Sequence, residues 1–109
     1  MIVTDNHVQT ALEYLAIDPH PIALARKDTV DAANKCKAIF ARLYLAADGS
    51  VATREAIATA STEYTTAKDQ EAEAILELEC QRAKSRSAEM LIECWRSESA
   101  NIRAAEKMR

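Results

Sequence analysis

Apolar positions along the chain recur with the period of an α-helix, and short polar breaks divide them into successive runs. Val8, Ala11, Leu12, Leu15 and Ala16 stand at i, i+3, i+4, i+7 and i+8, which makes one apolar stripe. Thr4 is placed to cap this helix, and Asp5 sits in its first turn, where the positive end of the helix dipole favours a carboxylate. Asp18-Pro19-His20-Pro21 ends it, because the residue before each proline is driven out of the α region. The pattern predicts a first helix over 5–17.

Pro21 suits the first position of a second helix, where its missing N–H has no partner to lose. The stripe Thr29, Ala32/Ala33, Cys36, Ile39/Phe40, Leu43, Ala46/Ala47 carries that helix over 21–47, and Gly49 is its expected C-cap. Ser50 is placed to cap a third helix over 51–60. Thr59, Ser61, Thr62, Thr65 and Thr66 are weak helix formers whose hydroxyls compete for the backbone, so a break is expected near Ser61. Ser50 to Arg109 holds neither glycine nor proline, and a fourth, long helix is predicted over 62–107. Its stripe reads Ile75, Leu76 and Leu78, then Met90, Leu91, Cys94, Trp95 and Ile102. Between them lies the polar stretch Gln81-Arg82-Ala83-Lys84-Ser85-Arg86-Ser87. That gap implies either sparse packing or a polar groove between subunits.

The fold class is therefore all-α: one helical domain over 1–109, a helical hairpin of three or four helices with a long C-terminal one. At 1.5 Å per residue the last helix spans about 65–70 Å and the second about 40 Å. A hairpin of the two leaves Met90 to Ile102 overhanging, to be covered by the first helix or by a second subunit. Composition sharpens this point. Twenty-two of the 109 residues are alanine and only 5% are aromatic, so each helix contact buries little area. A homo-oligomer is the expected remedy.

Charge is unevenly spread. Residues 1–80 carry seven Lys/Arg against thirteen Asp/Glu, whereas residues 81–109 carry seven against four, within a net charge of −3. The basic end supplies the first candidate site, Arg82, Lys84, Arg86, Arg96 and Arg103, with Trp95 to stack on a base. The simpler reading pairs these arginines at i,i+3 with glutamates: Glu79–Arg82, Arg86–Glu89, Glu93–Arg96 and Arg103–Glu106. A second candidate is the acidic row Asp69, Glu73, Glu77, whose i,i+4 repulsion suits a basic partner protein or a plain solvated face.

Other chemistries find little footing. Cys36, Cys80 and Cys94 form no CxxC pair and read as reduced thiols, with Cys36 and Cys94 at apolar helix positions. His7 and His20 have no ligand cluster around them, and one glycine cannot build a phosphate-cradling loop. No metal, cofactor, catalytic residue or small-molecule substrate is expected. No apolar run approaches bilayer length, so no membrane contact is expected and the expected location is the cytoplasm.

Ala11-Leu12-Glu13-Tyr14-Leu15-Ala16, the turn Leu45-Ala46-Ala47-Asp48-Gly49-Ser50-Val51-Ala52-Thr53-Arg54-Glu55-Ala56, and Trp95-Arg96-Ser97 resemble a family of small tailed-bacteriophage proteins over nearly the full chain. Relatives usually close in Trp-Arg-Ser/Thr followed by arginine, often a pair, whereas Asn101-Ile102-Arg103-Ala104 carries one. The resemblance implies an early-region gene near recombination and single-strand DNA functions, acting in the host cytoplasm. It makes single-stranded DNA or a phage or host recombination protein the expected partner. The alternative is an inhibitor of a host nuclease or defence protein, using Asp69, Glu73 and Glu77.

Overall fold

The computed structural model describes residues 2–108, and within them the protein is all-α. Four helices follow in order: α1 (Asp5–Leu15), α2 (Pro21–Ala46), α3 (Val51–Ala60) and α4 (Thr62–Lys107). Their ends follow local chemistry. The Thr4 hydroxyl accepts from the His7 amide at 3.3 Å, while the Thr4 amide donates to His7 Nδ1, a reciprocal capping box. Ser50 caps α3 through the Thr53 amide at 3.2 Å. Gly49, at φ +112°, makes the turn between α2 and α3.

The break at Ser61 is one extended residue, φ −63° and ψ 138°. Its amide closes α3 onto the Ala58 carbonyl at 3.3 Å. Its carbonyl opens α4 by accepting from both the amide and the hydroxyl of Thr65 at 3.0 Å. The threonine-rich sequence here lets side-chain hydroxyls take over backbone partners at the corner.

The chain divides into two compact units, Met1–Pro21 with Cys80–Arg109, and Ile22–Glu79. In the second, α2 and α3 pack with the first part of α4. Helices α2 and α4 run antiparallel: Thr29 donates to the Ala74 carbonyl at 3.3 Å, Lys35 to Gln70 at 3.1 Å, and Arg42 pairs with Glu63. The rings of Phe40 and Tyr64 lie 5.7 Å apart, and the Arg54 guanidinium covers Tyr44 at 4.4 Å. In the other unit α1 runs antiparallel to α4, with Ala11, Tyr14 and Ala88 buried and Leu15, Leu91 and Ile92 packed around them.

The face that α4 buries differs from the expected stripe. Leu78 is buried and Leu91 and Trp95 are half-buried, but Ile75, Leu76, Met90, Cys94 and Ile102 are exposed. The covered line runs through Tyr64, Ala67, Glu71, Ala74, Leu78, Gln81, Ser85, Ala88, Ile92, Trp95 and Ser99, with Arg82, Leu91 and Glu98 half-covered at its edges. The positions of that line step by alternating three and four residues, a seven-residue repeat like that of a coiled-coil seam. Alanine, glutamine and serine occupy most of it, so hydrophobicity alone points elsewhere. In α1, likewise, Tyr14 is buried where Leu12 and Ala16 were expected, and those two are exposed.

Two outcomes follow from this packing. Ala67 is 2% exposed, so Ala67→Leu overpacks the seam and costs about 1–3 kcal/mol, whereas Ile75→Ala, at an exposed site, stays within about 0.5 kcal/mol. Gly49→Ala is destabilised by more than about 1 kcal/mol, because positive φ strains any Cβ and the added atom meets Thr53 Cγ2 at 3.2 Å. Urea unfolding followed by circular dichroism measures all three.

Candidate nucleic-acid interface

The polar stretch in the middle of α4 has a structural use. Tyr14 is 7% exposed, and its buried hydroxyl must find an acceptor. It donates to Gln81 through Oε1 at 2.8 Å and the backbone carbonyl at 3.0 Å. The Lys84 amine lies over the Tyr14 ring, 4.7 Å from its centroid, and the His20 ring meets that ring edge-on at 4.9 Å. The Gln81–Ser87 stretch is therefore polar where α1 delivers a tyrosine. Tyr14 went unmarked in the sequence because it falls beside the apolar stripe of α1, not within it.

The six residues predicted to contact nucleic acid fall in four places on α4. Arg82, Arg96 and Arg103 each directly follow a seam position, Gln81, Trp95 and the continuing position Ile102, so they share one edge of the helix. Lys84 precedes the seam residue Ser85 and lies on the opposite edge, over Tyr14. Arg86 lies on the outer face. Trp95, half-buried in the seam, donates its indole N–H to Asp5 Oδ1 at 3.3 Å.

Self-pairing along the helix is thinner than the spacing suggests. Arg96 binds Glu93 at 3.3 Å, both side chains about two-thirds exposed, a contact worth little in water. Arg82 and Glu79 are both engaged. Arg86 and Arg103 are exposed and make no ion pair among the described residues. The acidic row Asp69, Glu73, Glu77 is exposed throughout. Lys68, the residue before Asp69, binds Glu71 at 2.9 Å instead, and that hydrogen bond raises the amine above the ordinary lysine range.

Two open grooves accompany these faces. One of about 240 Å³ is lined by His7, Ala11, Tyr14, Lys84, Ala88 and Leu91. The other, of about 340 Å³ in the second unit, is lined by Cys36, Lys37, Phe40, Tyr64, Lys68 and Glu71. Cys36 is buried as its apolar position implies, but Cys94 is exposed, because its position lies outside the seven-residue seam. Among the described residues no three His, Cys, Asp or Glu side chains gather as a metal site needs, and no helix is long and apolar enough to cross a membrane.

Fold and faces together define an all-α protein built on one long helix. No protein-family model, no curated protein and no solved structure matches the chain.

Replacing Tyr14 by Phe keeps the ring under Lys84 and beside His20 but removes the donor to Gln81. The expected loss is about 1 kcal/mol of stability, read from the urea midpoint at unchanged slope.

Proposed function

We propose that the chain is a non-enzymatic accessory protein of phage DNA recombination or replication that contacts single-stranded DNA along α4. The observation that carries this reading is the shared edge of Arg82, Arg96 and Arg103, with Trp95 in the adjoining seam position. Successive heptads bring side chains back to one side of the helix about every 10 Å, which suits a row of phosphates along a strand. Arg86 extends the positive surface onto the outer face, and Lys84 holds Tyr14 on the other edge. The phage setting rests on the resemblance of the Ala11–Ala16, Leu45–Ala56 and Trp95–Ser97 segments, and the host cytoplasm goes with it.

A second reading, an inhibitor that binds a host nuclease or defence protein, has one observation in its favour. Asp69 and Glu73 are exposed and make no ion pair among the described residues, although Lys68 stands next to Asp69. An acidic face left unneutralised fits a basic protein surface.

Fluorescence anisotropy of a labelled single-stranded oligonucleotide separates the two. The DNA reading expects binding that weakens with salt, together with quenching of Trp95. Replacing Arg82, Arg96 and Arg103 by Ala lowers the slope of log affinity against log salt by about 2. Absence of binding at low salt overturns direct DNA contact and moves the search to proteins retained by the acidic row.

A further inference from the structure

The outer face of α4, opposite the covered seam, has a seven-residue repeat of its own. Cys80, Ala83, Ser87, Met90, Cys94, Ser97, Asn101 and Ala104 alternate steps of three and four residues, and all are exposed. Ten of the 28 residues over 80–107 are charged, and none stands at these eight positions. A solvated helix face normally collects the charges; here they stand only at the borders of the stripe, Arg86 and Glu93 on one side and Lys84 and Glu98 on the other. Its composition matches that of the seam α1 does cover on the same stretch: Gln81, Ser85, Ala88, Ile92, Trp95 and Ser99. Met90, at its centre, is 68% exposed.

The charges flanking this face identify its occupant. Along one border stand Lys84, Leu91 and Glu98, one heptad apart, positive at one end and negative at the other. We infer that the outer face of α4 binds a second copy of this chain in antiparallel orientation, about a two-fold axis level with Ile92. That arrangement sets Cys94 against Met90 of the second copy, Ser87 against its Ser97, Ala83 against its Asn101, and Cys80 against its Ala104. Lys84 then meets Glu98 of the second copy, Glu98 meets its Lys84, and Leu91 meets its Leu91. A two-fold interface is self-complementary, so each favourable pair occurs twice.

Neighbouring arrangements lose this match. Sliding the copies by one heptad either way separates Lys84 from Glu98. Parallel pairing brings Glu93 beside Glu98. The antiparallel register has one like-charge approach, Glu93 to its own copy, and Arg96 already binds Glu93 at 3.3 Å. Lys84 is held over Tyr14 at 4.7 Å, and Glu98 accepts from the Val3 amide at 3.5 Å, so both side chains are positioned before the second copy arrives. Arg82, half-buried, and Arg96 and Arg103, exposed, lie on the other edge of the helix, outside the dimer face. The dimer and the DNA contact share only Arg86, at the border of the outer face, and each can fail alone.

Light scattering across a concentration series tests the association, and the expected mass is about twice 12.0 kDa. Lys84→Glu and Glu98→Lys should each weaken the dimer at least tenfold with helicity unchanged, and the double swap should restore it, because only opposed copies exchange these partners. Since Met90 is exposed, Met90→Cys leaves the protomer intact. Under mild oxidation it should give a reducible covalent dimer through Cys94, abolished by adding Cys94→Ser. A monomeric mass at every concentration overturns the inference. So does a dimer that the double swap fails to restore, or one in which Met90→Cys fails to cross-link. Oligonucleotide titration of the Met90→Cys and Cys94→Ser variants keeps the two readings apart, since they leave every charged side chain in place.

Discussion

Everything in this protein hangs on one seam along α4, where the residues facing its neighbours repeat every seven positions and are mostly small. Ala67, Ala74 and Ala88 occupy one half of the repeat, and Tyr64, Leu78 and Ile92 part of the other. Small side chains admit a neighbouring helix but remove little apolar surface from water. The most deeply buried residues are accordingly alanines, Ala58 at 0% and Ala67 at 2%. Leu24, Val30, Leu45, Leu76 and Met90 stay in solvent. The helices are held by regular spacing along their length, with no large side chain fully enclosed among the described residues.

With so little volume buried, polar contacts set the geometry. Tyr14 and Gln81 fix α1 on α4 at one level, and Asp5 with Trp95 fixes it at another, since helices located by small residues alone would slide. Thr29 and Ala74, then Lys35 and Gln70, do the same for α2. The corners are equally local: a capping box at Thr4, positive φ at Gly49, and one extended residue at Ser61. Exposed ion pairs such as Lys27–Asp31 at 2.6 Å add little, because solvent screens them.

The same helix periodicity distributes the functional faces. Within each unit, a residue's place in the heptad decides whether it faces the neighbouring helix, a groove edge or solvent. The arginines at 82, 96 and 103 fall on one edge because they are whole heptads apart, while Lys84 and Arg86, closer in sequence to Arg82, fall elsewhere. Proximity along the chain is a poor guide to shared surface on a helix; the multiple of seven is a better one.

Helix type, order and breaks were legible in the sequence because they depend on neighbours within a turn or two. Pro21 starts α2, Gly49 follows its end, the hydroxyl cluster breaks the chain at Ser61, and the absence of glycine and proline beyond Ser50 permits a helix as long as α4. The buried face was legible in α2, where Thr29, Ala32, Ala33, Cys36, Ile39, Phe40 and Leu43 are covered as their spacing predicts, and at Val8, Ala11 and Leu15 of α1, but only in part along α4. Leu12, Ile75, Leu76, Met90 and Ile102 have the hydrophobicity of core residues, yet Tyr14, Gln81, Ser85 and Ala88 lie against the neighbouring helix. Which side of a helix is covered depends on what packs against it, and in an alanine-rich chain the difference in burial energy between faces is too small to announce itself. The sequence by itself determined the helices and where they end. The tertiary structure decided which face of α4 was enclosed, because register between helices is settled by long-range pairs such as Tyr14 with Gln81 and Thr29 with Ala74.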